Sequence, residues 1–87
     1  MSPNIVLENT LREILAADLY VDVPAEEIHA DDSLAESLGL DSLGFVELRA
    51  QCEQRFGVLI SDTDFTPVNF RSVRTIADFV ARRRAGN

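Results

Sequence analysis

The sequence predicts an all-α fold, an antiparallel bundle of three main helices plus one short helix. Two observations carry that prediction. Apolar residues recur at helical spacing with no stretch that alternates like a strand for long. Glycines and prolines are sparse (four and three), with Pro24, Gly57 and Pro67 placed where a helix would stop. Eighty-seven residues suit one domain, residues 1–87, and leave no room for a second. A chain this small buries only about 60–65% of the surface its unfolded form exposes. Its 46% hydrophobic content and mean hydropathy of +0.01 are enough for one core. Such a size favours a binding or carrier module over an enzyme with a deep, self-contained active site.

The first helix is expected over residues 4–19. Leu7, Leu11, Ile14, Leu15 and Leu19 make one apolar stripe, and Glu8 in the first turn suits the helix dipole. Val21, Val23 and Pro24 break the pattern. A long connection then runs to Leu40, with a short turn at residues 24–28 and a single turn starting near Ser33. Ile28, Leu34, Leu38 and Leu40 are expected to pin it to the core. Loops beyond about 12–15 residues are uncommon in compact domains and are often functional.

The second helix is expected from Asp41-Ser42 to Phe56, stopped by Gly57. Phe45, Leu48, Cys52 and Phe56 read as its buried face, with Leu43, Val46 and Ala50 as a half-exposed row beside it. The short helix is placed at residues 62–65, ended by Thr66-Pro67. Ser72 is a good N-cap for the last helix, which carries Val73, Ile76, Ala77, Phe79 and Val80 towards Arg82-Arg83-Arg84. Those arginines read as basic charge favourably placed at a helix C-terminus.

Charge narrows the partners. Fifteen acids against eight bases leave −7, so nucleic acid is an unsuitable partner, because duplex binding needs a basic surface. Residues 20–40 hold Asp22, Glu26, Glu27, Asp31, Asp32 and Glu36 without one Arg or Lys, a surface that steers towards basic partners. A single cysteine makes no internal disulfide, no apolar run approaches the roughly 20 residues that span a bilayer, and the N-terminus lacks signal-peptide features. The expected address is therefore the cytoplasm, with no membrane partner, and the chain is expected to be a monomer.

Several sites are excluded by spacing. Asp62-x-Asp64 starts like a calcium loop, yet Pro67 and Val73 stand where glycine and glutamate are required. Cys52 and His29 are too few for structural zinc, and no metal site is expected. A serine hydrolase is rejected, since Leu40 replaces the first glycine of a nucleophile elbow and His29 is a lone loop histidine. No catalytic residue is assigned. Cys52 reads as a small core residue.

The specific signal is Leu38-Gly39-Leu40-Asp41-Ser42-Leu43. Ser42 would sit in the first turn of a helix, where unpaired N–H groups and the dipole favour an anion, and Gly39 can turn the loop sharply. On local chemistry alone, Asp41 or Ser42 is simply an N-cap, and the chain could be an acidic helical interaction module with no prosthetic group. The run Gly39-Leu40-Asp41-Ser42-Leu43-Gly44-Phe45-Val46-Glu47-Leu48, however, resembles the prosthetic-group attachment site of acyl carrier proteins. The amphipathic first helix, acidic loop, Phe-Gly ending and closing helix extend that resemblance over nearly the whole chain.

The resemblance implies an acyl-carrier-protein-like bundle that is not itself an enzyme. Ser42 would carry phosphopantetheine covalently, its hydroxyl attacking the pyrophosphate of coenzyme A on a phosphopantetheinyl transferase that supplies magnesium and base. Asp41 would help position that machinery, while Leu43, Val46 and Glu47 would begin the helix read by acyl- or aminoacyl-loading and downstream enzymes. Cargo would hang as a thioester, at high effective concentration near each enzyme.

Val46-Glu47-Leu48-Arg49 is similar to carriers of polyketide assembly lines. Gly44 stands where fatty-acid carriers commonly have an acid, and the span 41–56 is nearly balanced, with Asp41, Glu47 and Glu53 against Arg49 and Arg55. Both departures point to a dedicated biosynthetic pathway, with a fatty-acid-synthesis carrier as an alternative. Leu40-Asp41 fits peptidyl carriers less well, yet the run from Asp62 to Phe70 resembles discrete carriers, some of which load amino acids.

Overall fold

Short, well-separated apolar stripes fold here as helices linked by turns that bury one shared core. The computed structural model describes residues 4–86, and within them the elements are α1 (Ile5–Glu13) with a π-helical turn (Ile14–Asp18), a 3-10 turn (Ala25–Glu27), α2 (Ser42–Phe56) and α3 (Val73–Gly86). The fold is all-helical, as the sequence predicts. No helix among the described residues is long and apolar enough to cross a membrane.

The first helix departs from plain α geometry where its apolar stripe would drift. Leu11, Leu15 and Leu19 are spaced by four, and each such step rotates an α-helix of about 3.6 residues per turn by about 40°. The wider π turn, in which Leu19 N donates to Ile14 O at 3.0 Å, rotates the stripe back. Leu11, Ile14 and Leu15 are fully buried and Leu19 packs against them. Val21 N donates to Leu15 O across Tyr20, which takes the left-handed φ of +55° usually left to glycine at helix ends.

The acidic connection is held by more than its apolar pins. Ile28 and Leu34 are buried and Leu38 and Leu40 pack on the core, as expected. Backbone bonds then stitch it to the start of α3: Leu34 N to Arg71 O and Arg74 N to Ala30 O, both at 2.9 Å. The Arg74 guanidinium grips Asp31 through two hydrogen bonds of 2.6 and 3.2 Å and holds its carboxyl below the usual range. The single turn expected near Ser33 is present, with Ser37 N donating to Ser33 O at 2.8 Å.

The short helix expected at residues 62–65 is a correction. That segment forms one turn, in which Ser61 O accepts from Asp64 N and Phe65 N at 3.1 and 3.0 Å. Asp and Ser side chains compete for the backbone there: Ser61 Oγ accepts from Asp64 N and donates to Asp64 Oδ2. Among the described residues, the short helix that stands apart from the three main ones is the 3-10 turn in the acidic connection. Ser72 does cap α3, accepting from Thr75 N at 3.3 Å while Thr75 Oγ1 accepts from Ser72 N at 3.0 Å.

Candidate functional site

Two local devices aim the start of α2 at solvent. Gly39 turns the chain with φ +72°, and Leu40 N then donates to Leu34 O at 2.9 Å, fixing the approach. Asp41 is extended and is the N-cap: its Oδ1 accepts from Gly44 N at 2.8 Å. The ambiguity between Asp41 and Ser42 as cap is thereby resolved in favour of Asp41. Ser42 becomes the first helical residue, exposed, and its hydroxyl makes no hydrogen bond among the described residues.

This geometry suits a covalent phosphodiester at Ser42. The oxygen needs no rearrangement to be reached, and the first turn offers N–H groups and a positive dipole end to an anion. Asp41 is occupied by capping, so it shapes the site while Ser42 is left without a structural task. Gly44 adds a packing reason for its own presence. A Cβ there would lie 2.7 Å from Leu40 Cδ1 and 2.9 Å from Leu40 Cγ, so the missing side chain lets Leu40 tuck beneath the first turn.

The expected partner-reading residues share one helix face at i, i+3 and i+4 spacing. Leu43 is 80% exposed and Val46 58%. Glu47 is exposed and forms no ion pair among the described residues; its Oε2 accepts from Gln51 Nε2 at 3.1 Å. Ala50 is exposed too, so the row with Leu43 and Val46 faces solvent outright and is not half-buried as expected. On the other face Leu48 and Cys52 are fully buried, with Phe45 and Phe56 half-buried. Burial pushes the Cys52 thiol up to about 12, so it stays protonated and unreactive near neutral pH.

Beside this turn lies a groove of about 520 Å³ that sequence reasoning did not find. Phe45 from α2, with Phe65, Pro67 and Phe70 from the segment before α3, supplies its apolar walls, and Ser33, Glu36 and Arg71 add polar groups. Phe45 sits on a helix and Phe65 and Phe70 on the connection after it, so no helical periodicity links the three. Val68, 77% exposed, extends the apolar surface of the same segment. No group of three or more His, Cys, Asp or Glu side chains is placed to hold a metal ion among the described residues.

Residues 9–80 match the family described as phosphopantetheine attachment site. The chain is 34% identical over 74 residues to an acyl carrier protein of Solidesulfovibrio magneticus, covering 85% of this chain and 90% of that one. It is 29% identical over 70 residues to aminoacyl carrier protein 2 of Bradyrhizobium diazoefficiens, covering 80% and 78%. Among solved structures, it superposes on a carrier protein from Agrobacterium tumefaciens with a TM-score of 0.76 and 29% identity, covering 86% of this chain and 96% of that one. That carrier was crystallised with an engineered glycine:[carrier protein] ligase of Bradyrhizobium japonicum and ATP.

Proposed function

This chain belongs to the acyl carrier proteins, which carry covalent phosphopantetheine and are not catalysts, and from that premise we propose that Ser42 is the attachment residue. The observation that carries the proposal is the division of labour at the helix start. Asp41 takes the cap, leaving an exposed serine hydroxyl without a partner among the described residues at the N-terminus of α2. The arm supplies a thiol that holds cargo as a thioester. The chain's own residues orient and present it: Asp41 fixes the first turn, while Leu43, Val46 and Glu47 offer an apolar and acidic face to a phosphopantetheinyl transferase and to loading and downstream enzymes. The whole chain acts as one carrier domain in the cytoplasm.

The pathway is a dedicated biosynthetic one, polyketide or related, with fatty-acid synthesis as the alternative. Support comes from the Val46-Glu47-Leu48-Arg49 run and from Gly44, whose place beneath Leu40 disfavours the acid common there in fatty-acid carriers. A second reading, aminoacyl loading, is favoured by the similarity to aminoacyl carrier protein 2 and to the carrier crystallised with a glycine ligase.

Intact-mass spectrometry tests the attachment. Incubated with coenzyme A and a promiscuous transferase, the wild-type protein gains one arm and Ser42→Ala gains none. An unmodified wild type, with a control carrier modified in the same reaction, overturns the assignment. The mass of the arm on protein from its native host then separates acyl from aminoacyl cargo.

A further inference from the structure

Most arginines of this chain are tied into ion pairs within it. Arg82 and Arg84, near the end of α3, are exposed and make none among the described residues. Side chains two apart on a helix point to different sides, and each of these arginines lines its own groove. Arg84 borders one of about 500 Å³ whose apolar wall is Phe56, Val58 and Leu59. Arg82 borders another of about 390 Å³, with Asp64 and Asn69. Arg83 lines both and is pinned: it binds the Asp64 carboxylate and stacks on Phe79 at 5.3 Å. Asp64 is thereby neutralised, and the free charge beside the two grooves is that of Arg82 and Arg84.

An outward apolar side chain stands at the same place. Leu59 is 82% exposed, between Val58 and Ile60, which are both buried. Its neighbours are anchored in the core, so Leu59 cannot withdraw from water beside Arg84. A chain of net charge −7 repels an anionic membrane or a nucleic acid, and two free arginines with one leucine are too few to overcome that. A short protein segment needs only local contacts, because the acids elsewhere on the chain are screened beyond about 8 Å.

We infer that the end of α3 and the residues just after α2 form a docking surface for an acidic segment of a partner protein that carries an apolar residue. Its carboxylates pair with Arg82 and Arg84, and its apolar side chain lies against Phe56 and Leu59. Phe56 stands at the far end of α2 from Ser42, about 21 Å along the helix. An occupant there leaves the start of α2 open, so one partner can hold the chain while another meets Ser42. Nothing in this surface depends on what is attached at Ser42.

The test titrates a synthetic peptide of glutamate and leucine into isotope-labelled full-length protein and follows the amide NMR shifts. The peptide should shift amides at 56–59 and 82–84, leave those at 42–47 in place, and bind more weakly as salt rises. Arg82→Gln with Arg84→Gln should weaken binding about fivefold or more, whereas Arg82→Lys with Arg84→Lys keeps the charge and should stay within about twofold of wild type. Leu59→Ser, or serine in place of the peptide's leucines, should weaken it about threefold or more. These side chains are exposed, so the variants retain the fold. A wild type that does not bind the peptide, binding unchanged in the glutamine variant, or shifts confined to the start of α2 overturns the inference. Sedimentation with phosphatidylglycerol vesicles examines the rival occupant. Vesicle binding that the glutamine variant loses overturns the inference in favour of a lipid surface.

Discussion

The two ends of α2 do opposite work. At its start Ser42, Leu43, Val46 and Glu47 face solvent, and among the described residues the one side-chain bond to the first turn comes from the Asp41 cap. Towards its end the helix is tied to the chain that follows. Glu53 Oε2 accepts from Ile60 N at 2.8 Å, Arg49 grips residues 60–65, and Gly57 closes the helix with φ +67°. Arg83 of α3 reaches the same segment through Asp64 and stacks on Phe79 at 5.3 Å. One helix thus carries a start whose side chains face solvent and an anchoring end whose side chains are tied to the chain that follows.

The largest effect that would sharpen this contrast comes from two leucines on one helix. Leu48→Ala, at a fully buried site, should lower stability by about 2–5 kcal/mol. Leu43→Ala should stay within about 0.5 kcal/mol in urea unfolding while slowing modification by the transferase. Similar stability losses for both would erase the distinction between the two faces.

A middle-sized effect probes the packing at the start of α2. In the wild-type background Gly44→Ala must displace Leu40, and overpacking of about 1–3 kcal/mol outweighs the gain of about 1 kcal/mol in helix propensity. In a Leu40→Ala background the clash is gone, and Gly44→Ala should become stabilising. An unchanged sign between the two backgrounds would show that the close approach carries no cost.

The smallest effect concerns the buried face and is read at alkaline pH. Cys52 is raised from 9.0 in an exposed thiol to about 12 when folded. The unfolded chain therefore releases that proton first, so the stabilisation is complete below pH 9 and is lost as pH rises from 9 towards 12. By pH 9.5 the loss is under about 1 kcal/mol. Cys52→Ala should lose less stability than wild type between pH 8 and 9.5, and equal slopes would contradict the burial of the thiol.

Local patterns were legible where a single segment decides its own fate. The stripes of the first helix and of α2, the caps at Ser72 and Gly57, and the turn at Ser33 all depend on neighbours within a few residues. The helix expected at 62–65 failed for a reason partly visible in its own letters: Ser61, Asp62 and Asp64 are residues whose side chains compete for the backbone. The reach of Arg83 to Asp64 was not legible, since the two are 19 residues apart and the Arg82-Arg83-Arg84 run reads equally well as helix-end charge.

The sequence by itself determined the helical class, the start of α2 at Asp41-Ser42 and the acidic balance, because periodicity, capping residues and charge are properties of a chain read in order. Tertiary structure alone decided that Phe45, Phe65 and Phe70 share a groove, and that Arg49 reaches Ile60, Asp62 and Phe65. Those facts depend on which groups meet after the loops close, and distance along a sequence does not record that meeting.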